Sequence, residues 1–92
     1  MEIGQLVYSK RGRDKSKPFI VLDINNEYLY LVDGGLRKLS SPKKKKVIHV
    51  QPTNFINEEI KQAILGQKYL LDSDIEKAIA KYSNLKVESN LT

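Results

Sequence analysis

The chain has no cysteine and no tryptophan, only one histidine and three prolines. Without cysteine there is no disulfide, no thiolate metal site and no cysteine nucleophile. No stretch approaches the roughly 20 apolar residues that a membrane span requires. The opening segment carries an acid at Glu2 and lacks the apolar core of a secretory leader, so the cytoplasm is the expected compartment and no membrane partner is expected. Neither a glycine-rich phosphate loop nor a nucleophile–base pair is visible, and the chain is not expected to be an enzyme with a small-molecule substrate. His49, between Ile48 and Val50, has no cysteine to share a metal with and reads as a polar strand position, so neither a metal nor another cofactor is expected.

What the chain does have is positive charge, unevenly placed. The formal net charge is +5 over 92 residues. Residues 1–50 carry eleven Lys or Arg against five acids, a balance of +6, while residues 51–92 come to −1. A basic face confined to one part of a molecule has nucleic acid as its commonest partner. With 40% hydrophobic and 29% charged residues the composition is globular, and the length suits one small domain, marginally stable without help.

The first half reads as strands. Ile3–Tyr8 and Phe19–Ile24, the latter opened by Pro18, are rich in β-branched and aromatic residues. Asn25–Glu27 is a turn, Tyr28–Val32 a third strand, and Asp33–Gly35 a second turn. Leu36–Leu39 and Val47–Val50 are expected as short fourth and fifth strands. Five short strands in some 50 residues describe a small, partly open barrel. Pro52 marks the expected boundary, dividing a barrel (1–52) from a helical appendage (53–92). Beyond it the period changes to 3.6. Asn57 caps a helix to about Leu65, with Ile56, Ile60 and Ile64 on one face and Gly66 as its stop. Ser73 and Glu76 form a capping box for a second helix, whose apolar face is Ile75, Ala78, Ile79 and Tyr82. Two such short helices need a surface to lie on. The tail Asn84–Thr92 is expected to fray.

Two basic elements stand out. The connection Ser9–Lys17 holds Lys10, Arg11, Arg13, Lys15 and Lys17 around Gly12 and one acid, Asp14, which would orient Arg11 or Arg13. A loop held at both ends by a sheet presents its cations and N–H groups as a fixed array for phosphate oxygens. The second element is the run Lys43–Lys46, expected to stay extended and solvated until it meets a polyanion. Lysines beside a strand can equally guard an exposed edge against aggregation. Arg37 and Lys38 would link the two elements. Of the aromatic residues, Phe19 is expected in the core. Tyr28 and Tyr30 share one strand face and Leu29 and Leu31 the other, one pair being core. Tyr8 is the best candidate for stacking on a base.

The segments Gly4–Ser9, Gly12–Lys17 and Phe19–Ile24 together resemble a KOW motif. The arrangement, with Val32-Asp-Gly and Leu36-Arg-Lys, is similar to the KOW-domain RNA-binding proteins of Gram-positive bacteria, themselves similar to a KOW-class large-subunit ribosomal protein of archaea and eukaryotes. The resemblance covers residues 2–50 and covers the helical end poorly. It implies a mainly β fold with C-terminal α: a small SH3-like, five-stranded barrel followed by two short helices. It implies binding of structured RNA, chiefly ribosomal RNA, with ribosomal proteins as further partners. The implied RNA-binding set is Lys10, Arg11, Gly12, Arg13, Lys15, Lys17, Arg37, Lys38, Lys43, Lys44, Lys45 and Lys46. Ser16 stands where such motifs carry Gly, and a positive φ there would strain it by roughly 1 kcal/mol. The alternative is a protein-interaction module of the transcription or translation machinery, a use to which SH3-like barrels are also put.

Overall fold

The computed structural model describes residues 1–91, with side chains described through residue 85. The elements are β1 (Gln5–Ser9), β2 (Pro18–Asn25), β3 (Tyr28–Val32), β4 (Lys43–Lys46), a 3-10 turn (Val47–His49), β5 (Val50–Ile56), α1 (Glu58–Leu65) and α2 (Asp72–Leu91). All strand pairs are antiparallel, in the order β4-β3-β2-β1-β5. That order has a geometric consequence. A flat sheet would hold its two edge strands about 19 Å apart, four spacings of 4.8 Å. Yet β4 and β5 are joined by three residues, a link that spans at most about 14 Å. The sheet must curl on itself, and the fold is a small, SH3-like five-stranded barrel.

Strand alternation sorts the apolar residues between two cores. Val7, Phe19, Val21, Leu29, Leu31 and Val50 fill the barrel interior, with Ile24 and Val47 against them. Leu6, Ile20 and Val32 point outward and are covered by Ile60 of α1 and by Ile75 and Ala78 of α2. The helices thus find their surface on the barrel. Of the two aromatic and leucine pairs on β3, Leu29 and Leu31 are the buried one, and Phe19 is fully buried.

Several local expectations are corrected. Leu36–Leu39 is not a strand. The Asp33 carboxylate accepts from the backbone N–H groups of Gly35 and Arg37, and this local turn replaces a ladder. Leu39 N–H then donates to the Asp72 carboxylate, tying the loop to the start of α2. The fourth strand is instead the lysine run, which is neither free nor wholly solvated because it pairs residue by residue with β3. Val47–His49 is a 3-10 turn, and strand β5 continues through Pro52 to Ile56. Proline is tolerated there because β5 is an edge, with no outer neighbour needing its N–H.

Asn57 caps α1 as expected, its side chain accepting from Ile60 N–H at 3.0 Å. Gly66 ends α1, but the left-handed residue is Gln67, φ 52°, in a Schellman arrangement: Lys68 N–H donates to Ala63 O and Gln67 N–H to Ile64 O. α2 starts before the expected Ser73–Glu76 box. Asp74 reaches back to the Leu71 N–H instead. Its 20 residues run through the stretch expected to fray, and Thr92 lies outside the described residues. Gly34, φ 83°, brings the barrel onto α2: a Cβ there would lie 2.3 Å from the Asp72 carbonyl oxygen.

Candidate nucleic-acid interface

The connection between β1 and β2 is a built loop rather than a slack one. Ser9 N–H donates to Lys17 O, Ser16 N–H to Ser9 O, Lys15 N–H to Gly12 O and Lys17 N–H to Asp14 O. Two residues turn the chain through positive φ, Gly12 at 82° and Ser16 at 70°. The second is the glycine position of the motif, occupied here by a residue with a Cβ.

Asp14 is the pin of this loop. It is 2% exposed, and its Oδ2 accepts from Arg37 Nη2 at 3.2 Å and from Lys43 Nζ at 3.1 Å. Its expected partners, Arg11 and Arg13, are not the ones it holds; both are exposed. Burial by itself raises the pKa of the Asp14 carboxyl, but the hydrogen bonds and the positive charges of Lys43 and Arg37 together outweigh it and hold the group below its ordinary value. The guanidinium of Arg37 is therefore a brace, and its buried Nε has no hydrogen-bond partner among the described residues.

The lysine strand divides by parity. Lys43 and Lys45 point towards the loop: Lys43 meets Asp14, and Lys45 Nζ donates to Ser9 Oγ and to the Arg11 carbonyl. Burial, then the neighbouring Lys43, lowers the Lys45 ammonium below the usual lysine value, with Asp14 opposing. Lys44 and Lys46 are exposed on the opposite side, 4.4 and 6.0 Å from the centre of the Tyr28 ring. Lys10 N–H donates to His49 O, fastening the loop to the 3-10 turn. The His49 imidazole is held below its ordinary value by partial desolvation and then by Arg11, Lys45, Lys46 and Lys10. Four cations thus lie near enough to act on one imidazole.

Of the twelve residues named from the sequence, the structure gathers Lys10, Arg11, Arg37 and Lys43–Lys46 through the contacts above, with Gly12 and Arg13 in the same loop. Lys15 and Lys17 are exposed on its far limb. Lys17 borders a shallow recess that it shares with Asp33 and Glu76, a less favourable field for phosphate. Lys38 is exposed beyond the brace formed by Arg37. Tyr8, the expected stacking residue, packs edge-on against Tyr82 of α2 at 6.4 Å. The pinning role of Asp14 and the placement of Tyr28 between lysines were not visible in the sequence, because both depend on β4 being a strand. Among the described residues no three His, Asp or Glu side chains converge as a metal site would require, and no helix is long and apolar enough to cross a membrane.

A curled five-stranded barrel with a cation-rich first loop and helices on its outer face defines a small SH3-like domain. No protein-family model matches the chain. Among curated proteins it is similar to the large ribosomal subunit protein eL14 of Sulfolobus acidocaldarius, 30% identical over 74 residues, covering 70% of this chain and 76% of that protein. The chain belongs to the eL14 family of ribosomal proteins. A match covering 70% of the chain is longer than the segment ending at Ile56, so the likeness extends into the helical part.

Proposed function

We propose that this protein is a non-enzymatic RNA-binding protein that grips folded ribosomal RNA of the large subunit through its backbone. In this reading it works in the cytoplasm beside other ribosomal proteins, and the KOW-domain proteins of Gram-positive bacteria are its nearer kin. One observation carries the proposal: the Ser9–Lys17 loop and the lysine strand are cross-braced through Asp14 and Lys45, which supports holding the exposed cations of both in a fixed relation to one another. Lys10, Arg11, Arg13, Lys15, Lys44 and Lys46 are the residues proposed to meet phosphate directly, with Gly12 letting the backbone approach. Arg37, Lys43 and Lys45 hold that surface in shape and add to its field, while Lys17 and Lys38 lie at its margins.

The test is an RNA titration across salt concentrations. Each phosphate contact contributes a log–log slope of about 0.7–0.9. Replacing both Lys44 and Lys46 by alanine should flatten the slope by about 1.4–1.8 without unfolding the barrel. An RNA affinity indifferent to salt contradicts the proposal. A second reading, protein interaction, is favoured by the apolar surface where Tyr69, 88% exposed, and the exposed Leu65 and Leu71 adjoin a recess lined by Leu22, Leu39 and Ile64. Pull-down after nuclease treatment separates the two, since a partner retained without RNA requires protein contact.

A further inference from the structure

The outer face of the barrel is divided. Its β1–β2 half, with Leu6, Ile20 and Leu22, lies under α1 and α2. Its β3–β4 half is a block of aromatic and basic side chains. Tyr28 stands directly opposite Lys46 and Tyr30 opposite Lys44, so these four project from the same face. Both tyrosines are half-buried and both lysines exposed. Lys44 reaches diagonally over Tyr28 with its Nζ 4.4 Å from the ring centre, and Lys46 stands 6.0 Å away. The neighbouring strand β2 contributes Asn25 and Asp23 to the same rows, and the Asp23 carboxylate is turned to the Ile24 N–H.

Resting on the RNA-binding reading above, we propose that Tyr28 is a stacking platform for one unpaired RNA base, with Lys44 and Lys46 taking the phosphates on either side of it. An exposed cation over a ring is held more weakly than a base stacked on that ring, so an arriving base displaces Lys44 from Tyr28 and frees its ammonium for the backbone. The chemistry selects an unpaired nucleotide, bulged or in a loop, because a paired base has no free face to offer. Edge protection accounts for lysines on β4, but it gives no reason for an aromatic side chain between two of them.

The experiment compares a fully paired RNA hairpin with the same hairpin carrying one bulged 2-aminopurine, using the full chain. The protein should prefer the bulged hairpin and quench its 2-aminopurine fluorescence. Tyr28→Leu should weaken binding to the bulged hairpin by about 5- to 150-fold and abolish the quenching, while leaving the paired hairpin and the salt slope unchanged. Tyr28→Phe, which keeps the ring, should behave as the unaltered protein. Equal weakening of both hairpins by Tyr28→Leu, or retained quenching, overturns the inference. So does salt-dependent binding of both hairpins without preference, which leaves the RNA reading standing. Failure to bind either hairpin in a salt-dependent way overturns that reading, and this inference with it.

Discussion

Replacing Asp14 by asparagine removes one charge from the least exposed ionic group among the described residues. The carboxylate is 2% exposed and its Oδ2 holds two cations, Arg37 at 3.2 Å and Lys43 at 3.1 Å. Removing one partner of a buried ion pair costs about 3–5 kcal/mol, chiefly because the other charge is left uncompensated. Here the abandoned side chains are 32% and 27% exposed, so water can solvate them in part, and we expect less than that, about 2–3 kcal/mol. A domain of this length has roughly 5–14 kcal/mol of stability to lose from. With an m value near 1–1.5 kcal/mol/M, the urea midpoint should fall by about 1.3–3 M.

The pH dependence of that loss has a definite sign. The folded-state pKa of Asp14 lies below its ordinary value of 3.8, so its contribution is complete above that value and is lost as pH falls through the folded one. The gap between the unaltered protein and Asp14→Asn should therefore be constant near neutrality and narrow below about pH 4. RNA binding gives an independent reading. The substitution raises the net charge from +5 to +6, and on charge alone RNA affinity should rise. If the carboxylate shapes the loop, affinity falls instead. A loss under about 0.5 kcal/mol at pH 7, or tighter RNA binding, would refute the role given to Asp14.

Ser16→Gly should stabilise the fold by about 0.5–1 kcal/mol, measured by thermal or urea unfolding, because glycine adopts a φ of 70° without a Cβ penalty. Gly34→Ala should destabilise by about 2–4 kcal/mol on the same assay, since the added carbon meets the Asp72 carbonyl and the left-handed backbone resists it. Because the His49 imidazole is held below 6.5 by desolvation and nearby cations, the folded state binds its proton less readily than the unfolded chain. Stability should thus fall as pH drops through that range, and His49→Gln should remove the dependence. Bound RNA reverses the sign, so RNA affinity should rise over the same pH interval.

Much of this arrangement could be read from the residues themselves. Tyr28–Val32 forms the strand its alternation predicts, Asn57 caps α1, and the cations of Ser9–Lys17 sit in a loop held between two strands. What escaped prediction depends on partners distant in sequence. Lys43–Lys46 has little intrinsic reason to be a strand, and becomes one because β3 offers it an edge and Asp14 takes up part of its charge. Leu36–Leu39 has the better strand pattern, but Asp33 captures the N–H groups of Gly35 and Arg37 locally and Asp72 captures that of Leu39. The partners of Asp14 lie 23 and 29 positions away, and no local rule names them. The cationic residues of the candidate site were therefore legible as a list. Their division into exposed and bracing groups was not.

Binding of ribosomal RNA by this surface is tested most directly by crosslinking in living cells followed by sequencing of the attached RNA. One recurrent segment of large-subunit ribosomal RNA should be recovered, with recovery reduced by Lys44→Ala and Lys46→Ala together. Crosslinks scattered over unrelated RNAs, or protein recovered with no RNA attached, would contradict it.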